Sequence, residues 1–149
     1  MTLLKKTLAV LTMAAASMGV QAEGITIGTG VLADIGGVYN AYVEMDVSTT
    51  GALSFEVASV TDFNYGGSVI SGTGLALAYK YSPEAQGLYF KGGLANITVS
   101  SGTASAGGIM PMALVGWEQQ SGQLVYGVEG GWGTTAGMGM LNLYIGFEL

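Results

Sequence analysis

The groups best suited to chemistry are carboxylic acids with few partners. Glu44, Glu56, Glu118 and Glu129 lie in alternating stretches of sequence, and Lys80 and Lys91 are the cations that follow residue 22. Glu44 and Glu56 are spaced to lie nearly opposite each other across a hairpin turn at 48–52, and paired carboxylates can do general acid–base work. The composition weighs against that use. The chain has no histidine and no cysteine, which removes Ser-His-Asp triads, imidazole metal sites, thiolate zinc sites and thiol nucleophiles. Ammonium groups away from water need partners. Glu44, Glu56, Lys80, Lys91, Glu118 and Glu129 are therefore expected to form an interior charge cluster with a structural role. No catalytic, cofactor-binding or metal-ligating residue is expected.

Such a cluster needs an interior, and the composition says what kind. Only 9% of the 149 residues are charged, while 50% are hydrophobic. A soluble domain carries about 25% charged residues. Disorder is excluded by the same hydrophobic fraction. Residues 1–22 read as a secretory signal peptide: Lys5 and Lys6 lead an apolar run from Leu8 to Val20, and Val20-Gln21-Ala22 places small residues at the −3 and −1 positions. The run is shorter than the ~20 residues a membrane-spanning helix needs. Cleavage is expected between Ala22 and Glu23. No cysteine follows to carry a lipid. The remainder, 23–149, is one domain with two lysines against ten acids, so nucleic acid is excluded as a partner.

Apolar residues in 23–149 recur with period two, the signature of strands with unlike faces. Eight strands are predicted, at about 25–32, 37–47, 53–59, 69–81, 88–98, 109–118, 124–132 and 139–149. One face carries the bulk: Val43, Met45, Phe55, Leu75, Leu77, Val115, Val128, Leu143 and Ile145 among others. The other face carries every strand charge and many small residues, including Gly28, Gly30, Gly74, Ala76, Ala78 and Gly127. Large apolar residues outward with small or polar residues inward is the pattern of a transmembrane β-barrel. Turns at 48–52, 82–87 and 119–123 are short. Connections at 59–68, 100–108 and 133–138 are rich in Gly, Ser and Thr and are expected to be longer loops. The Gly92-Gly93 pair is expected to flip the register of strand five, because Ile97 and Val99 otherwise face the polar side. Tyr39, Tyr79, Tyr81, Trp117 and Trp132 fall near strand ends, where aromatic residues anchor at membrane interfaces.

These features resemble the small eight-stranded outer-membrane proteins of Gram-negative bacteria, with the architecture of OmpX, OmpW and the OmpA membrane domain. The resemblance covers 23–149 and lies in pattern. It implies an all-β, eight-stranded antiparallel transmembrane barrel, an up-and-down meander preceded by a signal peptide. It also implies a monomer in contact with outer-membrane lipids. The terminal run 141–149 is similar to the strand read by the barrel-assembly machinery, although it ends in Leu149 where an aromatic residue is usual. Outer-membrane enzymes of similar fold use histidine, which is absent here.

Other motifs carry less. Gly28-Thr-Gly30-Val-Leu-Ala33 fits a loose dinucleotide fingerprint without the helix such a site needs. Asn96-Ile-Thr98 is a sequon without a eukaryotic context. Met110, Met112 and Leu114 share the inner face as core filling or an apolar lining. Pro111 is expected at the rim where strand six begins. The function expected is a non-enzymatic outer-membrane barrel with a structural or loop-presenting role. The alternatives are a narrow pore or carrier for small solutes, and a soluble secreted adhesin or fibre subunit.

Overall fold

Strands with two unlike faces are satisfied when their ladder closes, because closure hides one face and leaves no unpaired edge. The computed structural model describes residues 24–31, 38–65, 67–84, 86–132 and 139–149. The leader expected at 1–22 lies outside them. The strands are β1 (Ile25–Gly30), β2 (Val38–Ser48), β3 (Gly51–Tyr65), β4 (Ser68–Tyr81), β5 (Gly87–Ser101), β6 (Ala104–Ser121), β7 (Leu124–Trp132) and β8 (Gly139–Glu148). Each pairs antiparallel with its sequence neighbour, and β8 returns to β1 to close an eight-stranded meander barrel. The seam runs from Thr26↔Glu148 to Gly30↔Tyr144.

The outward face is apolar and open. Leu75 is 61% exposed and Leu94 58%, with Leu77, Ile109, Val115, Leu143 and Ile145 also exposed. Val43 and Met45 depart from this: they stand in the outward register, opposite Ile27 and Ile25, yet are 3% and 2% exposed. Tyr79, Tyr81, Phe90, Trp117, Tyr126 and Phe147 form an exposed aromatic belt toward the end that carries the short turns. Tyr126 and Phe147 join it beside the aromatic residues expected there. Tyr39 is exposed near the opposite end. Trp132 closes β7 in the backbone ladder opposite Ala113, and its side chain lies outside the described residues.

Two of the connections expected to be long are ladder. β3 continues to Tyr65, with a register shift between Val60 and Phe63, and pairs with β4 up to Tyr65↔Ser68. β5 and β6 pair without interruption from Gly87↔Glu118 to Ser101↔Ala104, leaving a two-residue turn. Gly102 leads that turn with φ of 60°, a sign of φ that two-residue hairpin loops require. Residues 104–109 are exposed on both faces. Alternation reports two unlike environments, so it fades where both faces see solvent while the backbone ladder goes on. Pro111 accordingly lies inside β6 and not at its start. It pairs with Leu94 of β5 and sits two residues past Ala113↔Trp132, the last β6–β7 pair among the described residues.

The register of β5 does not flip. The pairing with β4 keeps one offset from Tyr81↔Phe90 to Ser71↔Ser100, straight through Gly92 and Gly93. Ile97 and Val99 therefore point inward, and Asn96 and Thr98 outward. Inside, Ile97 joins Ala76, Ala78, Ala95 and Met112, with Val99, Met110 and Leu114 packed against them. The interior thus has an apolar patch on β4–β6, which resolves the conflict that suggested a flip.

The inward tyrosines fit by a size rule. Tyr42 faces Gly28, Tyr89 faces Gly116 and Tyr144 faces Gly127 across the ladder. A Cβ at any of the three glycines would run into the facing ring. Each tyrosine lies over the strand beside it, as aromatic residues do over sheet glycines. Gly116→Ala should therefore displace Tyr89 and cost about 1–3 kcal/mol of overpacking. Gly92→Ala, whose new Cβ meets nothing within 4 Å, should change stability by about 0.5 kcal/mol or less. Urea midpoints of the two variants in detergent check this, and equal losses would contradict it.

Candidate functional site

Lys80 and Lys91 are directly opposite each other in the β4–β5 ladder. Like charges in that position repel, and both ammoniums are buried, with side chains 8% and 5% exposed. The barrel answers with acids from three other strands. Glu44 on β2 lies between the lysines, its Oε1 3.4 Å from Lys80 Nζ and its Oε2 4.0 Å from Lys91 Nζ. Glu118 on β6 accepts from Lys80 at 2.7 Å. Glu129 on β7 takes Lys91 at 3.3 Å.

The tyrosines complete the network. The Tyr89 hydroxyl donates to Glu129 at 2.7 Å, and the Tyr144 hydroxyl donates to Glu118 at 2.8 Å. Asn142 donates its amide to Glu129 at 3.2 Å. Lys80 Nζ sits 4.7 Å from the centre of the Tyr89 ring, and Lys91 Nζ 5.8 Å from those of Tyr42 and Tyr89. The ring faces add cation–π attraction. Tyr42 and Tyr144 meet edge to face at 5.7 Å, and Tyr89 and Tyr144 at 6.5 Å. Tyr42, Tyr89, Tyr144 and Val125 form the buried packing around the charges.

Glu56 is placed differently from the sequence expectation. It pairs with Tyr42 in the ladder, while Glu44 pairs with Ser54. The turn is the Thr49-Thr50 step between Ser48 and Gly51, with a register shift between Asp46 and Ser48, and this moves the two strands past each other. Glu56 Oε1 accepts from Asn40 at 3.4 Å. Asn40 also accepts from the Gly30 backbone N–H through its Oδ1, tying β3 and β2 to β1. Glu44 and Glu56 are thus diagonal neighbours. Glu44 is held by two lysines, an arrangement that suits charge compensation and not proton transfer. Glu148, at the other end of β8, accepts from Gln120.

Sequence reasoning left Tyr89 and Asn40 out of this network. The signal for Tyr89 was present: it stands between the outward Leu88 and Phe90, so period two turns it inward. Gly28 and Gly30 of the loose glycine motif lie in β1, where they make room for Tyr42 and Asn40. Asn96 faces outward and is exposed. Among the described residues no three acidic side chains converge as a metal site.

Removing one partner of a buried pair leaves the other charge unpaired, at a cost of about 3–5 kcal/mol. Lys91→Met should lower the urea midpoint accordingly, and so should Glu129→Gln. Combined, they should lose clearly less than the sum of the two, because each single variant already breaks the same contact. Simple additivity in that double-mutant cycle would show that the two groups are not coupled.

No family model matches the chain, and no curated protein matches it. Among solved structures it is similar to the crystal structure of the N-terminal β-barrel domain of Pseudomonas aeruginosa OprF. The match has a TM-score of 0.55 and 20% sequence identity, and covers 86% of this chain and 98% of that one. The fold of this protein is therefore that of the OprF N-terminal domain, a closed eight-stranded antiparallel barrel.

Proposed function

We propose that this protein is an outer-membrane β-barrel without catalytic activity, whose wall anchors hairpins that project from the bilayer. The observation that carries the proposal is the inversion of the two faces. Leucines, valines and aromatics cover the outside, while Glu44, Lys80, Lys91 and Glu129 are buried inside. A soluble secreted barrel would require the reverse, since apolar area of this extent in water drives association.

The outward residues also supply a membrane thickness. On β4 they read Tyr81, Tyr79, Leu77 and Leu75, then Thr73; on β5, Phe90 and Leu94 give way to Asn96 and Thr98. From residue 81 to residue 73 is about 26 Å along the strand at ~3.3 Å per residue. With a tilt of roughly 35–45° this is an apolar band of about 20 Å, close to the ~25 Å of outer-membrane barrels. The extensions of β3–β6 beyond that band are the surface-presenting part. Their Ser, Thr and Gly residues suit an aqueous exterior. The similarity to the OprF domain supports a bacterial outer membrane as the location, and the proposal takes lipid as the surrounding partner and a monomer as the functional unit. In this proposal β8 (Gly139–Glu148) is the strand offered to the barrel-assembly machinery, since it makes the closing seam.

Two outcomes test the proposal. The chain lacking residues 1–22, refolded in detergent, should migrate faster unheated than boiled. Leu143→Arg, with an outward side chain at the middle of β8, should cost about 2–4 kcal/mol in vesicles. Absence of a heat shift, or wild-type stability of Leu143→Arg, would sink the transmembrane placement.

The filled interior also bears on the pore alternative. Tyr42, Tyr89 and Tyr144 meet across the lumen beside the ion pairs, as expected for a barrel just wide enough for side chains. Planar bilayers containing the wild-type barrel should show no sustained conductance. A steady open channel would favour the narrow-pore reading.

A further inference from the structure

Two carboxylates meet beside Gly24, at the start of β1. A Cβ built on Gly24 would stand 2.8 Å from Glu148 Oε1 and 2.9 Å from Asp46 Oδ2. With a Cα–Cβ bond of ~1.5 Å, both oxygens lie within about 4.5 Å of the Gly24 Cα. Backbone bonds fix the place. The Asp46 N–H donates to the Gly24 carbonyl at 3.0 Å, and the Leu149 N–H donates to the Ile25 carbonyl at 2.8 Å. Asp46 belongs to β2 and Glu148 to β8, the two strands that flank β1. Glu148 accepts from Gln120 through its other oxygen, Oε2. Among the described residues neither acid has an ion pair: Lys80 and Lys91, the cations that follow residue 22, are held by Glu44, Glu118 and Glu129. Like charges this close repel, so closing the barrel brings two acids together at its seam.

We propose that removal of the leader supplies the counter-charge: the new α-ammonium of Glu23 pairs with Asp46 and Glu148 and ties β1 to both of its neighbours. The proposal rests on the cleavage expected between Ala22 and Glu23. Hydrolysis adds water across that peptide bond. It leaves a carboxylate on Ala22, which departs with the leader, and an amine on Glu23, which is protonated at neutral pH. Four backbone bonds separate that nitrogen from the Gly24 Cα, a span of at most about 5 Å, so it comes within hydrogen-bonding reach of both oxygens. In the uncleaved chain the same nitrogen is a neutral amide. Period two sends the Glu23 side chain to the other face, so its own carboxylate does not join the pair. Glycine at 24 keeps the approach open, since any Cβ there would press on both carboxylates. The seam is then tighter in the processed chain than in its precursor.

The test uses the chain as bacterial cells export it, purified in detergent, with its first residue read by mass spectrometry. A carbodiimide, which joins ammonium and carboxylate groups in contact, should cross-link the Glu23 amine to Asp46 or Glu148. Asp46→Asn should leave the link to Glu148 alone, and Asp46→Asn with Glu148→Gln should abolish it. Acetylating the α-amine should lower the thermal midpoint of the heat-shifted gel band by about 3 °C in the wild type. In the double variant it should change nothing. A chain that begins at Glu23 yet gives no cross-link, or loses as much on acetylation in the double variant as in the wild type, overturns the proposal and leaves the cleavage reading standing. A chain that begins at any other residue overturns both. Should the double variant fail to fold, the cross-link and the acetylation shift of the wild-type barrel still decide.

Discussion

Every other feature of this molecule depends on the pairing of β8 with β1. An open eight-stranded sheet would leave two rows of backbone N–H and C=O groups unpaired at its edges, ready to pair with another chain. Closure at Thr26↔Glu148 through Gly30↔Tyr144 removes those edges. It also divides the side chains into an outside and an inside with no third choice. With the outside apolar, each strand charge except those near the rims has to go inward, where another strand must neutralise it.

That requirement explains the internal arrangement. Two lysines placed face to face by the ladder are costly alone. They are tolerated because β2, β6 and β7 each bring a carboxylate to them. Side chains long enough to meet across the lumen leave little room for bulk on the intervening strands. Glycine at 28, 116 and 127 provides the room, and two of the tyrosines that fill it, Tyr89 and Tyr144, also donate to the acids. Packing and electrostatics are one constraint at two of these positions: enlarging Gly116 or Gly127 disturbs Tyr89 or Tyr144, and moving that tyrosine removes a hydrogen bond from Glu129 or Glu118.

The strand count, the two faces and the placement of charge on the inner one were legible because period two records a difference between two environments. Three things were not. Where both environments are aqueous the period vanishes, so the ladder from Val99↔Ala106 to Ser101↔Ala104 read as loop. Where both are apolar the period is also weak, so the inward Ile97 looked like a register error. The offset of β2 against β3 was missed by two residues, because it depends on the Thr49-Thr50 turn and the irregularity beside it, which hydrophobicity does not encode. Alternation assigned Lys80 and Lys91 to a face. Which acids they reach depends on strand offset and lumen width, and only the closed barrel supplies both.

The inversion of the barrel is best tested by a nitroxide scan along β4 in lipid vesicles. The chain has no cysteine of its own, so single labels at positions 73–81 are clean. Collision with dissolved oxygen should alternate with period two, high at 75, 77 and 79 and low at 76, 78 and 80, while a water-soluble nickel chelate should reach none of these outward sites. Accessibility to the chelate at 75, 77 and 79, or oxygen access without alternation, would contradict a barrel whose apolar face meets lipid.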